Sequence, residues 1–163
     1  MSRWRPPQAK SSPIITPDGY AKLERELDEL WRKRRIVNDA LAAAAAEGDR
    51  SENAEYIYRK KEQAGIDRRI RYLQKRMPDL KIVDSVGNQE QVFFGALITL
   101  IQDDDKKVRY RIVGADETNT KNGDISVDSP LAKALLKKYI GDEVSIKVGD
   151  STVNYEIEDI HYQ

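Results

Sequence analysis

Two carboxylates three residues apart, Asp49 and Glu52, stand in the stretch "GDRSEN" at residues 48–53, where a chain that otherwise reads as long charged helix is broken by a glycine. Carboxylate oxygens are hard ligands for a divalent cation. Magnesium takes six oxygens and keeps several waters, so two side chains make half a site and a partner must complete it. The same spacing also has a plain structural use. Asp-x-x-Glu at a helix start resembles a capping box, in which Asp49 accepts from the backbone near Glu52 and Glu52 reaches back. Both readings depend on what the break is.

The surrounding sequence makes it the tip of a helical hairpin. Thr16 can cap, Pro17 fits the first helical position, and Asp18 suits the positive end of the helix dipole. Leu23, Leu27, Leu30, Arg34, Val37, Leu41 and Ala44 then recur at alternating steps of four and three, a coiled-coil seam. Arg34 is its charged member and is expected to snorkel out of it. A second seam runs through Ile66, Ile70, Leu73, Met77 and Leu80, and extended backwards it weakens through Gln63, Arg59 and Tyr56. Two helices of roughly 30 residues give an antiparallel hairpin about 45 Å long at 1.5 Å per residue. Ala42 to Ala46 keep its far end slender.

Beyond Pro78 the period changes. "KIVD", "QVFFGALITLIQD", "KKVRYRIVGAD", "DISVD", "DEVSIKVGD" and "STVNYEIEDIHYQ" are short β-rich runs separated by Asp, Gly and Asn turns. One helix is expected from Pro130 to about Ile140, with Gly141 after it. The fold class is therefore α+β, a helical hairpin arm followed by a sheet domain with one helix. The boundaries read as a mobile, proline-broken extension over 1–15, an arm over 16–80 with its tip at 48–53, and a globular domain over 81–163.

Composition narrows the function. The 163 residues are 34% charged with a formal net charge of +0, but residues 1–80 carry 18 Lys+Arg against 13 Asp+Glu and the rest 10 against 15. A basic half on an acidic half points to a polyanionic partner at one end. With 0 Cys there is neither a disulfide framework nor a thiolate zinc site. No run reaches the roughly 20 apolar residues of a membrane span, and the start lacks a signal-peptide core, so a cytoplasmic location without membrane attachment is expected. The sheet half shows no phosphate loop or nucleophilic triad, and its His161 reads as a strand residue. What the arm can do is reach into a narrow space on a partner.

Arg59, Lys60, Lys61, Arg68, Arg69 and Arg71, with Lys75 and Arg76, give the second helix a positive bias. A solvated helix surface laced with i,i+4 pairs would look the same. In the globular half, Asp128, Ser129 and Pro130 read as a cap followed by a first-turn proline.

"GDRSENAEY", "YRKKEQAGIDRRIRYLQKR", "LKIVD", "VFFGALITL", "YRIVGADE", "ISVDSPLAKALLKK" and "GDEV" together resemble the bacterial transcript cleavage factors of the GreA/GreB family, over about residues 14–163. "IDRRIRYL" and "SPLAKALLKK" lie nearer GreB, while "EQAG" at residues 62–65 looks more like GreA. The resemblance implies a coiled-coil hairpin that enters the secondary channel of bacterial RNA polymerase and an FKBP-like C-terminal domain at the channel rim. Asp49 and Glu52 fall on the family's acidic tip pair, implied to share a Mg2+ ion with the polymerase during cleavage of backtracked nascent RNA, with none tightly bound by the free protein. The basic residues of the second helix would favour the extruded RNA, and the surface around Asp128, Ser129 and Pro130 would dock on the polymerase. On this reading the chain is a monomer and no enzyme alone. Two rivals stand beside it, a channel-blocking inhibitor of the same fold and a peptidyl-prolyl isomerase-like module.

Overall fold

The computed structural model describes residues 9–46, 54–84 and 90–162. The chain divides into two compact units, Tyr20–Leu80 and the combination of Met1–Gly19 with Lys81–Gln163.

Helix α1 spans Pro17–Ala46. Its start is the predicted one, for the Thr16 hydroxyl oxygen accepts the Gly19 N–H at 3.1 Å and Pro17 takes the first helical place. Helix α2 spans Ala54–Arg76. The heptad reading holds along both: Leu23, Val37, Ala44, Ile66, Ile70 and Leu73 are buried, with Leu27, Leu30 and Leu41 half-buried between them. Val37 packs on Ile66 and Ile70, and Leu27 and Leu30 lean on the same cluster, which fixes the helices as antiparallel neighbours. The second helix ends at Arg76, four residues before the end expected at Leu80. Pro78 ends it. The chain tightens there into a 3-10 turn over Met77–Asp79, closed by the Leu80 N–H on the Met77 carbonyl at 3.1 Å.

In the other unit, strands β3 (Leu97–Gln102), β4 (Lys107–Val113), β5 (Asp124–Ser126), β6 (Glu143–Val148) and β7 (Ser151–His161) form a sheet in the order β5-β4-β3-β7-β6. The β4–β5 pair is parallel and the others antiparallel. Alternation in β3 sends Ile98 and Leu100 inward, where they meet Ile112, Ile157 and Ile160. Full burial of each such side chain is worth about 1.5–3 kcal/mol. Gly149 (φ +63) makes the tight β6–β7 turn at a backbone angle that side chains resist.

Helix α3, Pro130–Leu135, covers this core with Ala132 and Leu135, both fully buried. It stops five residues before the expected end. Lys137 takes a positive φ of 68°, its N–H turns to the Val92 carbonyl at 2.8 Å, and Tyr139 bridges Gln91, so backbone pairing with the segment before β3 outcompetes another helical turn.

Residues 12–15 are not the mobile extension expected from their composition. Strand β1 (Ile14–Ile15) runs parallel to β2 (Lys81–Ile82), Ile15 is fully buried, and the Ser12 N–H donates to Asp128 at 2.8 Å. Gly114 explains how β1 gets in. A Cβ there would lie 2.1 Å from the Ile14 carbonyl oxygen, so only glycine lets the two backbones pass.

Candidate functional site

The helices that carry the candidate site are zipped by charge as well as by the seam. Arg69 grips Glu26 through two nitrogens at 2.6 and 3.0 Å, Arg34 reaches Asp67 at 2.7 Å, and Gln63 donates to Asn38 at 2.6 Å. Arg34, expected to snorkel free of the seam, instead crosses to the partner helix, with its guanidinium 5.8 Å from the Trp31 ring centre. These pairs are part-exposed. Each is worth a few tenths of a kcal/mol to about 1 kcal/mol, and their main effect is to fix the register of α1 against α2.

Helix α1 delivers the chain to Ala46 and α2 takes it up again at Ala54. Asp49 and Glu52 fall between them and lie outside the described residues. Among the described residues no group of three or more His, Asp or Glu is placed to hold a metal ion.

The six basic residues singled out on α2 separate into two kinds. Arg59 is half-buried and bound to Glu62 at 3.0 Å, with Glu55 at 3.9 Å, while Arg69 is committed to Glu26. Lys60, Lys61, Arg68 and Arg71 are exposed. They are the cations positioned to meet a polyanion. Sequence reading missed the exposed Tyr58 and Tyr72 beside them, although their 14-residue separation, four helical turns, was visible.

The three residues singled out in the globular unit also divide. Ser129 is the α3 cap, its hydroxyl oxygen accepting the Ala132 N–H at 3.2 Å, and Pro130 fills the first turn. Asp128 is no cap. Its carboxylate accepts both the N–H and the hydroxyl of Ser12 and so ties down the segment leading into β1. Pro130 is the exposed member of the three.

A hairpin with a cation-bearing outer surface, joined in sequence to a five-stranded sheet with one short helix, is the make-up of a binding factor. The chain belongs to the GreA/GreB family of transcription elongation factors: residues 13–82 match the family described as "Transcription elongation factor, N-terminal" and residues 87–162 that described as "Transcription elongation factor, GreA/GreB, C-term". It is 60% identical over 146 residues to a protein named transcription elongation factor GreB from Xanthomonas axonopodis pv. citri, covering 88% of this chain and 87% of that one. A protein of the same name from Pseudomonas aeruginosa is 48% identical, covering 99% and 98%. Among solved structures, GreA factor homolog 1 (Gfh1) of Thermus thermophilus is 23% identical with a TM-score of 0.42, covering 91% of this chain and 97% of that one. A GreA/GreB factor from Nitrosomonas europaea is 17% identical with a TM-score of 0.43, covering 93% and 100%. The function at this level is transcription elongation. No helix among the described residues is long and apolar enough to cross a membrane.

Proposed function

We propose that this elongation factor binds bacterial RNA polymerase, passes its hairpin tip into the secondary channel, and stimulates Mg2+-dependent cleavage of the 3′ end of backtracked nascent RNA. The observation that carries the reading is the pairing of α1 with α2. The two helices are held side by side by Arg34–Asp67 and Arg69–Glu26, and the stretch of sequence that links them, residues 47–53, is the one that carries Asp49 and Glu52. Two carboxylates fall short of the six oxygens that Mg2+ takes, which fits an ion shared with a partner better than one owned outright.

Asp49 and Glu52 would hold the ion together with polymerase carboxylates. Bound Mg2+ supplies charge stabilisation for the attacking and leaving oxygens of the phosphodiester. The chain's own part is delivery of the ligands, orientation of the attacking water by the same carboxylates, and retention of the extruded strand by Lys60, Lys61, Arg68 and Arg71. The reacting centre belongs to the polymerase.

The test is the double variant Asp49→Asn with Glu52→Gln on backtracked complexes carrying labelled RNA, with polymerase affinity measured alongside cleavage. Asparagine caps as well as aspartate, and glutamine completes a capping box, but neither is an anionic metal ligand. Loss of stimulated cleavage with binding intact is the expected result. Undiminished cleavage would make the two residues caps and remove the mechanism, and a wild-type chain that binds polymerase but suppresses cleavage would mark a channel-blocking inhibitor.

A further inference from the structure

We propose that the outer face of α2 is a stacking track for single-stranded RNA, with Tyr58 and Tyr72 as base platforms and Lys61, Arg68 and Lys75 as its phosphate rail. The proposal rests on the functional reading above for the identity of the strand, and it adds ring contacts to what was there only charge.

The residues fall in two rows. Tyr58, Gly65 and Tyr72 follow at intervals of seven, as do Lys61, Arg68 and Lys75, and at 100° per residue the rows lie about 60° apart. Both stand away from the buried seam of Ile66, Ile70 and Leu73. All three members of the cationic row are exposed, and the tyrosines are 63% and 46% exposed. Of the acids on this helix near the rows, Glu62 is bound by Arg59 at 3.0 Å and faces Lys33 at 3.9 Å, and Glu55 lies 3.9 Å from the same arginine, so both charges are offset locally. The Arg59 and Arg69 guanidinium groups, already paired with Glu62 and Glu26, lie 5.6 Å from the Tyr58 ring centre and 5.3 Å from that of Tyr72 and hold each ring in place from one side.

Gly65 gives the second, independent indication. It sits in mid-helix, where glycine is among the least favoured residues, yet a Cβ there would meet nothing nearer than an Arg68 nitrogen at 3.9 Å. Packing within the hairpin does not require it. Its effect is an open place between two rings about 21 Å apart, through which a strand can pass close to the helix backbone. Rings with a neighbouring row of cations, read by stacking and charge without base-edge contacts, are how sequence-tolerant single-strand binders work. A protein partner docking by burial would favour a contiguous apolar patch instead.

The experiment measures fluorescence anisotropy of a labelled 12-nucleotide oligoadenylate with the full-length chain over a salt series. Tyr58→Leu with Tyr72→Leu should weaken binding on the order of tenfold per ring at unchanged salt slope, and Tyr58→Phe with Tyr72→Phe should stay within about twofold of wild type. Lys61→Gln with Lys75→Gln should instead lower the salt slope by about 1.4, two lost phosphate contacts on a single strand. Gly65→Leu should raise the thermal midpoint while weakening binding. The proposal is overturned if wild type shows no binding at 50 mM salt, if the leucine variant binds RNA normally, if it loses polymerase affinity alone, or if phenylalanine is as damaging as leucine. Anisotropy is read without polymerase or Mg2+ and cleavage is read on backtracked complexes, so failure of the track and failure of the tip mechanism give different results.

Discussion

Replacing Glu117 with alanine should release Thr16, the cap residue of α1, from Gly114 within the unit to which both belong. One carboxylate there accepts the Thr16 N–H at 2.7 Å, the Thr16 hydroxyl, and the Gly114 N–H at 3.2 Å. Hydrogen bonds to a charged group are worth about 1.5–3 kcal/mol each, and a buried donor left alone costs about 1–3 kcal/mol. Gly114 is buried but Glu117 is only half-buried, which places the sum near the lower end, about 3 kcal/mol. For a chain of this length that is a fall in melting temperature of roughly 6–12 °C. Glu117→Gln keeps one acceptor but points an NH2 group at donors, so it should lose about half as much. Urea and thermal unfolding by circular dichroism give the magnitude, and amide hydrogen exchange at Thr16 and Gly114 gives the location. If the alanine variant stays within about 0.5 kcal/mol of wild type with both amides still protected, the carboxylate is not the fastening.

Three further outcomes are expected. Gly114→Ala should destabilise by several kcal/mol and expose residues 12–15 to proteolysis, because its Cβ would overlap the Ile14 carbonyl at 2.1 Å; limited proteolysis reads this directly. A double-mutant cycle of Glu26→Gln and Arg69→Met should return a coupling of about 0.5–1 kcal/mol that shrinks with added salt, as for a part-exposed bidentate pair. Stability should fall at alkaline pH: burial raises Tyr110 and Tyr162 above the ordinary tyrosine value of 10.0, so their contribution is complete below that value and is lost as pH rises through the folded one. Melting temperatures from pH 8 to 11 check it, and Tyr162→Phe, which also deletes the bond to the Gln91 carbonyl at 2.6 Å, should flatten the slope.

The hairpin was legible because its signals are local. A seam repeating every three and four residues needs one partner helix, and Val37, Ile66 and Ile70 supply it where the pattern placed them. The strands of the sheet were legible for the same reason, through alternation and turn residues. What escaped depends on contacts distant in sequence. Nothing in "SSPII" announces that Ser12 will meet Asp128, 116 residues on, or that Ile15 will be fully buried beside β2. The early end of α3 likewise comes from Val92 capturing Lys137. Among the basic residues, sequence could count charges but could not separate Arg69, held by Glu26, from the exposed Arg68 next to it.

The parallel pairing of Ile14 with Lys81 and of Ile15 with Ile82 has a topological consequence. The chain leaves for the hairpin and comes back on adjacent strands, roughly 4.8 Å apart in a ladder. Residues 20–80 are thus an insertion into a unit whose chain is already paired across the gap. Whole heptads can be added to or removed from both helices together without changing where the ends must meet. The length of the hairpin is thereby uncoupled from the pairing that closes the sheet unit.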